Sequence, residues 1–343
     1  MNQSNDVNEN SYDYDYDYSP TNNTIYGTIS LQMDTVSALQ VILPMVNIII
    51  FLLGVCGNGI VIWISGVKMK KSVNTTWYLS LAVSDFVFCV SLPFTIASMA
   101  ASDWLFGLFM CKFTSFVMML NMFSSIFLLV LISVDRSVSV VFPVWSQNHR
   151  TVKAASALVM FAWGISVVLS VPSAISRKIK THNGKTICLI NYGAGYIHQT
   201  VGLSRFVCGF VIPFLIITIC YSIIVMKLKS NHMTKSSKPF KVMSALIATF
   251  FVCWFPYHIF ILLEFNNKKH HPDILKTGLM VSSTLASANS SLNPLLYAFM
   301  GKDFKKMCWG SFLSKIENAL GDDTHTTSKG QSHTLDSKVS TLI

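Results

Sequence analysis

Residues 35–67 read TVSALQVILPMVNIIIFLLGVCGNGIVIWISGV and contain no Asp, Glu, Lys or Arg. A helix of about 20 apolar residues is long enough to cross the hydrocarbon core of a bilayer. Similar stretches recur along the chain, and one of them, 72–102, has Asp85 as its single charge. The others carry no charge: 113–134, 154–176, 206–226, 242–263 and 277–301. The sequence therefore predicts seven crossings of a membrane.

The composition also favours a lipid environment. Apolar residues make up 52% of the 343 positions and charged residues only 12%, about half the charged share of a soluble domain. In lipid, backbone groups must be satisfied within the segment, and a β-barrel would show alternating segments of about ten residues. We predict an all-α membrane protein with a seven-transmembrane helix bundle. The uncharged stretch 186–204 is rich in Gly, Asn, Gln and Tyr and is predicted to be a loop.

The acidic N-terminus determines the predicted orientation. Up to residue 40 the chain has six acids and no Lys or Arg. With this end outside, fourteen basic residues near the membrane face the cytoplasm and eight face outward, as the positive-inside rule requires. Asn2 and Asn22 begin glycosylation sequons, which suit an extracellular tail. We predict an extracellular tail over 1–37 and a transmembrane bundle over 38–300.

Two of the eight cysteines face the oxidising side in this orientation. Cys111 lies at the outer end of the third crossing and Cys188 follows the fourth, and an extracellular pair of this kind favours a disulfide. Around Cys188, the dipeptide Asn183-Gly184 separates two β-leaning segments within 178–190, which is the pattern of a hairpin. We predict an extracellular β-hairpin tethered by Cys111–Cys188; two free thiols are the alternative.

Polar side chains also fall at bilayer depth, where an ionisable residue marks function by default. Asp85 lies in the middle of the second crossing. The other crossings supply six polar residues that we expect to meet it in one buried network: Asn58, Asn121, Ser125, Asn289, Ser290 and Asn293. Oxygen ligands around a carboxylate suit a hard cation or a proton. A packing network with no ion is the alternative.

Short motifs in every crossing resemble those of rhodopsin-like G-protein-coupled receptors. In chain order they are Gly57-Asn58, Leu81-Ala-Val-Ser-Asp85, Asp135-Arg136-Ser137, Trp163, Pro213, Cys253-Trp-Phe-Pro256 and Asn293-Pro-Leu-Leu-Tyr297. The likeness covers about residues 38–313. Ser137 departs from the family pattern, in which most members have Tyr. The resemblance implies a plasma-membrane receptor that requires no cofactor, binds no nucleic acid and works with a heterotrimeric G-protein and arrestin.

Further segments resemble chemoattractant receptors, chemerin-type receptors most of all. They are 69–74, 120–124, 143–150, 205–210, 238–241 and 303–306. Formyl-peptide and complement-peptide receptors are the neighbouring alternatives. Chemokine receptors usually add a second disulfide from the tail, retinal pigments need a Lys in the seventh crossing, and amine receptors carry an Asp in the outer half of the third. This sequence has none of these features.

The resemblance also implies roles along the bundle. Asp135 and Arg136 are expected to pair at rest, and activation is expected to release Arg136 toward a G-protein of the inhibitory class. The residues expected to rearrange on activation are Trp254, Pro256, Phe250, Ile126, Pro213, Asn293, Pro294, Tyr297 and Tyr221. An allosteric sodium ion that favours the closed state is expected at Asp85, Asn121, Ser125 and Asn289.

Arg205 is the predicted anchor of the ligand. It has no local acid partner in the sequence, and a guanidinium binds a carboxylate through two parallel hydrogen bonds. Chemerin-like and formyl-peptide-like ligands insert a peptide terminus, which would supply that carboxylate. Glu264 and the aromatic face of Tyr257 and His258 would fix the peptide. The alternative is that Arg205 extends to the membrane surface.

The segment after the last crossing has its own pattern. Phe304, Cys308 and Phe312 recur at every fourth position with lysines opposite, which predicts an amphipathic helix over 301–314 lying on membrane lipid. The Ser/Thr-rich residues 315–343 are predicted to form a disordered cytoplasmic tail, which phosphorylation would direct to arrestin.

Two other classes of function compete with a receptor. A secondary transporter would use Asp85 for proton coupling, but transporters usually contain repeats related by pseudo-symmetry, and the halves of this sequence show none. An intramembrane enzyme needs a nucleophile or metal constellation. His258 has no second metal ligand at helical spacing, and neither GxSxG nor HExxH occurs. We therefore predict that the chain is not an enzyme.

Overall fold

Long helices follow the charge-free stretches of the sequence. The computed structural model describes residues 23–193, 195–230, 238–265 and 272–300. Within these ranges the helices are α1 (Asn23–Trp63), α2 (Val73–Ala101), α3 (Gly107–Val141), the short α4 (Pro143–His149), α5 (Val152–Ile175), α6 (Gly195–Phe206), α7 (Ile212–Ser230), α8 (Lys238–Glu264) and α9 (Pro272–Met300).

Some predicted features lie outside the described residues, namely the sequons at Asn2 and Asn22, the amphipathic helix over 301–314 and the tail over 315–343. α1 begins at Asn23, within the segment predicted as an N-terminal tail. The helix bundle consists of the described residues from Leu43 onward, and the residues of α1 up to Ile42 form a separate unit.

Six helical stretches among the described residues are long and apolar enough to cross a membrane: Ala38–Lys68, Val73–Ala101, Gly107–Val141, Val152–Ile175, Gly195–Lys227 and Val242–Glu264. α9 has the same length as α2 but is less apolar. Its buried residues include hydroxyl and amide side chains: Ser282, Thr284, Ser287, Asn289, Ser290, Ser291 and Asn293. Polar groups at membrane depth are tolerated where they face the interior of a bundle. α9 is the seventh helix of the predicted bundle.

A β-hairpin follows α5, as predicted. β1 (Arg177–His182) pairs antiparallel with β2 (Lys185–Ile190). Asn183 and Gly184 form the turn with φ values of 48° and 75°. Left-handed conformations at both turn positions match the twist of the strands, and Asn-Gly adopts them with little strain.

The hairpin is tied to the start of α3 and to the connection between α2 and α3. The predicted disulfide between Cys111 and Cys188 is formed. The main-chain N–H of Trp104 donates to the carbonyl oxygen of Thr186 at 2.8 Å, and Asp103 Oδ1 accepts from the N–H of Thr186 at 2.7 Å. These bonds fix the hairpin at one end of the bundle, which we call the hairpin end.

The fifth crossing begins earlier than the sequence suggests. The prediction of a loop over 186–204 is wrong, because β2 and α6 occupy most of it. From Gly195 the helix continues through a π-helical segment, Val207–Val211, into α7. Polar residues and glycines make up more than half of α6, so a search for apolar stretches misses it. Arg205 consequently lies about 15 Å along this helix from its first residue, and not at its top.

α3 is the central helix of the bundle, in contact with α2, α5, α7, α8 and β1. Its side chains Met122, Ile126 and Leu128 are completely buried. The outer helices instead expose large apolar side chains, such as Phe161 of α5 and Val252 of α8. A surface of this kind would be anomalous in water and is expected in contact with lipid.

α8 and α9 pack along one another, and Gly278 of α9 allows their close approach. A Cβ atom at Gly278 would lie only 2.0 Å from Cε1 of Phe260 on α8. Gly164 of α5 offers a contrast, because a Cβ atom there would meet no atom within 4 Å. The two glycines differ in surroundings but both lie inside a membrane-spanning helix.

We expect Gly278→Ala to lower the melting temperature of the detergent-purified protein, because Phe260 must shift and overpacking costs about 1–3 kcal/mol. Gly164→Ala is the matched control. It should leave the melting temperature unchanged or slightly higher, since Ala favours a helix by about 1 kcal/mol over Gly. Equal melting temperatures for the two variants would contradict the close packing at Gly278.

Candidate functional site

The hairpin end of the bundle contains a buried guanidinium. Arg205 is only 5% exposed. Its Nη2 donates to the hydroxyl oxygens of Ser173 and Tyr192, each at 2.8 Å, and its Nε has no hydrogen-bond partner. Among the described residues, no carboxylate lies within ion-pair distance of it. The charge of Arg205 is therefore turned into the bundle and is held by hydroxyl groups alone.

Arg177, the first residue of β1, brings a second guanidinium to the same region. Its Nε donates to Ser115 Oγ at 3.0 Å, and Ser115 donates to the carbonyl oxygen of Ser173 at 3.4 Å. Burial lowers the pKa of Arg177; Tyr257 opposes this shift and the charge of Arg205 adds to it. Two positive groups therefore lie near each other at the hairpin end. In the sequence Arg177 is one of several basic loop residues, and nothing there distinguishes it.

The predicted acid, Glu264, is engaged with a histidine. Its Oε2 lies 3.5 Å from His198 Nε2. The ring of His198 stacks on that of Tyr192 with centroids 5.0 Å apart, and Tyr192 is the hydroxyl partner of Arg205. A continuous line of contacts thus joins α6 to the end of α8 at the hairpin end.

Tyr257 and His258 occupy different surroundings. Tyr257 contacts Trp254 edge to face at 5.6 Å between ring centroids and acts electrostatically on Arg177. His258 packs against Phe206 and Phe210, with centroids 5.7 Å and 5.3 Å away. The two rings contact each other with centroids 5.8 Å apart, and Arg205 is an electrostatic neighbour of both. Tyr257 and His258 therefore both lie near Arg205, and their contact with a ligand stays a prediction.

Aromatic contacts continue from Trp254 toward the centre of the bundle. Trp254 stacks on Phe250 with centroids 6.0 Å apart, and both belong with Ile126 to one fully buried hydrophobic cluster. The prolines predicted to rearrange are Pro213 in α7, Pro256 in α8 and Pro294 in α9. A proline removes one hydrogen bond from a helix, so α7, α8 and α9 each have a weakened point.

Asp85 is completely buried and is satisfied by two amides. Asn121 Nδ2 donates to its Oδ1 at 2.9 Å, and Asn293 Nδ2 donates to its Oδ2 at 2.7 Å. Ser290 donates to Asn121 Oδ1 at 3.1 Å, and Asn58 Nδ2 donates to the carbonyl oxygen of Ser290 at 2.9 Å. Four of the six expected residues, Asn58, Asn121, Ser290 and Asn293, are therefore hydrogen-bonded in one network with Asp85, which joins α1, α2, α3 and α9.

Two further residues of the expected cation site, Ser125 and Asn289, are buried but have no side-chain hydrogen-bond partner. Buried polar groups without a partner are rare and call for an explanation such as an ion or water. Together with Asp85 and Asn121 they offer carboxylate, amide and hydroxyl oxygens, which hard cations prefer. The residues present thus fit a sodium ion.

A cluster of charges lies at the opposite end of α3. Arg136 Nη2 is 3.6 Å from Asp135 Oδ2, so the predicted pair is present but loose. Arg150 lies closer, with Nε 2.7 Å from Oδ1 and Nη2 2.9 Å from Oδ2 of Asp135. Both arginines also contact the amide oxygen of Asn74. Arg150 and Asn74 come from distant segments, and no motif in the sequence pairs them with Asp135.

The two tyrosines expected to rearrange on activation lie in the bundle. The buried Tyr297 of α9 places its ring 5.2 Å from that of Tyr78. Tyr221 of α7 is half-buried, and the charge of Arg136 is one of its electrostatic neighbours. Both side chains are therefore within the part of the bundle that contains Arg136.

Known proteins resemble this chain over most of its length. Residues 57–297 match the family described as 7 transmembrane receptor (rhodopsin family). Chemerin-like receptor 1 from Homo sapiens is 45% identical over 305 residues, which are 83% of this chain and 81% of that protein. The Bos taurus protein of the same name is 43% identical over 324 residues, 89% of each chain. N-formyl peptide receptor 2 from Gorilla gorilla gorilla is 40% identical over 309 residues, 83% of this chain and 88% of that protein.

These are matches to receptors, and the matching family is one of seven-transmembrane proteins, in agreement with the helix bundle described above. The chain belongs to the rhodopsin family of seven-transmembrane, G-protein-coupled receptors, in its chemoattractant branch, and is a multi-pass protein of the plasma membrane.

Proposed function

We propose that this receptor binds a chemerin-like peptide or small protein at the hairpin end and signals through a G-protein of the inhibitory class and through arrestin. In this proposal the N-terminus and the hairpin are extracellular, and the end of α3 that carries Asp135 is cytoplasmic. The observation that carries the proposal is a pair of guanidinium groups at the hairpin end, the buried Arg205 and the half-buried Arg177, which have no ion-pair partner among the described residues.

Two guanidinium groups near one another repel, and their hydroxyl partners accept some of their hydrogen bonds without balancing their charge. A carboxylate placed between them would accept charge-assisted hydrogen bonds from both, and such bonds are about twice as strong as neutral ones. The free carboxyl terminus of a peptide has this chemistry and is narrow enough to enter a helix bundle. Tyr257, beside Arg177, would contact the last side chains of the peptide.

Glu264, at the end of α8, lies 3.5 Å from His198 of α6. A basic group of the ligand would compete with His198 for the Glu264 carboxylate. An elongated peptide could therefore place its carboxyl terminus at Arg205 and a basic group at Glu264, and this polarity fixes its direction in the bundle.

The signal would pass through the aromatic contacts below the ligand. Tyr257 touches Trp254, and Trp254 touches Phe250, so pressure on Tyr257 reaches the central hydrophobic cluster. The weakened helix at Pro256 would let the far part of α8 move. A ligand shifts this equilibrium only by binding the active arrangement more tightly, and near-complete switching takes about 5.5 kcal/mol, which a peptide with several contacts can supply.

A formyl-peptide receptor is the second candidate, because the relatives include proteins of that name. Both candidates use a peptide, but they differ in which terminus must be free. A ligand whose carboxyl terminus enters the bundle loses activity on amidation. A ligand that inserts a formylated amino terminus loses activity when the formyl group is removed.

The first test measures G-protein activation in cells by chemerin and by synthetic peptides of each of its ends, with free or amidated carboxyl termini. We expect Arg205→Ala and Arg177→Ala each to lower the potency of the free-carboxyl ligand by about thirtyfold, since truncating one partner of a buried charge pair costs 2 kcal/mol or more. Amidation should cost the unmutated receptor a similar amount and cost Arg205→Ala much less.

Lys178→Ala is the matched control, because Lys178 is an exposed basic residue next to Arg177 on β1. The potency of the free-carboxyl ligand at Lys178→Ala, and the surface expression of this variant, should equal those of the unmutated receptor. Unchanged potency of Arg205→Ala at normal surface expression would refute the carboxylate assignment. If the receptor responds to formylated peptides and not to chemerin, the second candidate, a formyl-peptide receptor, is the correct one. The assignment to the chemoattractant receptors would still stand.

We also propose that Asp85, Asn121, Ser125 and Asn289 bind a sodium ion when the receptor is at rest. The ion would balance the Asp85 charge in the closed arrangement, and the carboxylate, hydroxyl and amide oxygens named above would hold it. The unpartnered side chains of Ser125 and Asn289 support this proposal. A proton on Asp85 is the alternative way to balance the charge.

We expect sodium chloride to lower agonist affinity about fivefold or more relative to choline chloride at equal ionic strength, and agonist to weaken sodium by the same factor. Asp85→Asn should remove the difference between the two salts. Asp273→Asn is the control and should keep it, because Asp273 is an exposed acid in the first turn of α9. An equal agonist affinity in both salts for the unmutated receptor would show that the network works without sodium.

A further inference from the structure

Two arginines share one carboxylate at the end of the bundle that is cytoplasmic in the proposed orientation. Arg150 contacts both oxygens of Asp135, at 2.7 Å and 2.9 Å. Arg136 approaches only one of them, at 3.6 Å. The amide oxygen of Asn74 contacts both guanidinium groups. Asp135 is therefore bound mainly by Arg150, and the motif residue Arg136 is its weaker partner.

The position of Arg150 is determined by local structure. Its N–H donates to the carbonyl oxygen of Ser146 at 3.0 Å, which ends α4. Ser146 Oγ lies 3.1 Å from Ser139 Oγ of α3, so α4 is attached to α3 independently of the arginine. The ring of Trp145 stacks on that of His149 at 4.6 Å between centroids. The short helix thus has its own contacts and presents Arg150 to Asp135.

The geometry of the two ion pairs determines how strongly the Asp135 carboxylate binds Arg150 and Arg136. A bidentate pair of guanidinium and carboxylate is stronger and more directional than a single contact at 3.6 Å. Both side chains of the bidentate pair are largely shielded, with 27% and 12% exposure. Because one carboxylate cannot balance two guanidinium charges, any strengthening of one pair weakens the other.

We propose that Arg150 is a positioning residue that competes with Arg136 for Asp135 and so keeps Arg136 ready for the G-protein. In this arrangement Arg150 lowers the free energy needed to release Arg136, because most of the carboxylate is already engaged elsewhere. Without Arg150, Asp135 would pair fully with Arg136 and the resting arrangement would become more stable. The sequence motif alone gives the opposite expectation, that Asp135 serves only to restrain Arg136.

The test measures nucleotide exchange on purified inhibitory G-protein by the receptor in lipid nanodiscs without ligand. The G-protein concentration is raised until the unmutated receptor gives a measurable basal rate. We expect Arg150→Ala to lower this rate about fivefold, the upper range for a partly exposed ion pair. Because the measurement needs no ligand, a wrong ligand assignment does not affect it.

Arg150→Lys and Lys153→Ala are the comparison variants. Arg150→Lys keeps the charge but not the bidentate geometry, so its basal rate should fall between those of the unmutated receptor and Arg150→Ala. Lys153 is an exposed basic residue on the same segment, and Lys153→Ala should leave the rate unchanged. If Arg150→Ala does not reach the membrane, Arg150→Lys serves as the test: a basal rate below that of the unmutated receptor supports the proposal, and an equal or higher rate contradicts it.

The decisive experiment makes Arg150→Ala in a receptor that also carries Asp135→Asn. With the carboxylate gone there is nothing to compete for, so Arg150→Ala should then change the basal rate by less than about twofold. A role in holding α4, or direct contact of Arg150 with the G-protein, would lower the rate equally in both backgrounds and would overturn the proposal. A basal rate that stays the same or rises in Arg150→Ala alone would overturn it as well.

Discussion

The carboxylate of Asp85 imposes the constraint on which the bundle depends. A charge at the middle of a membrane must be met by the protein itself, because lipid offers no partner. Its two oxygens accept from Asn121 of α3 and Asn293 of α9, so the rotation of three helices about their axes is coupled. Removing either amide would leave a buried acceptor unsatisfied, which costs more than the hydrogen bond contributes.

α9 shows how the same constraint shapes a whole helix. Along its length it meets α1 and α2 through polar contacts: Thr284 accepts from Asn47 at 3.0 Å, the carbonyl oxygen of Ser290 accepts from Asn58, and Asn293 donates to Asp85. A helix held by hydrogen bonds can exchange one set of hydrogen-bond partners for another and so has a few distinct positions. Apolar packing alone defines the position of a helix in lipid less sharply. A helix of this kind suits a protein that changes between two arrangements, and it explains why α9 is less apolar than the other crossings.

Much of this fold can be predicted from the sequence because its signals are local or compositional. Uncharged stretches locate the crossings, Asn183-Gly184 locates the hairpin turn, and Cys111 with Cys188 gives the disulfide. The start of the fifth crossing at Gly195 is missed, since the end of a helix outside the hydrocarbon core need not be apolar. Arg177 and Arg150 are missed for another reason: each acquires its role from a partner that only the packed bundle brings near, Ser115 for the first and Asp135 for the second.

Because of those two arginines, both ends of the bundle contain a pair of guanidinium groups whose charge is not fully compensated. At the hairpin end Arg177 and Arg205 are held by hydroxyl groups, and at the other end Arg136 and Arg150 divide one carboxylate. Arg205 is buried and the other three are partly buried. Cations shielded from water without full compensation are costly, so a partner that supplies acceptors would stabilise each end. The aromatic cluster and the Asp85 network lie between the two ends. The proposed mechanism requires that compensation at one end change the balance at the other, and such a linkage is reciprocal. In that proposal, the incompletely compensated arginines are what would let an external ligand act on the far end of the receptor.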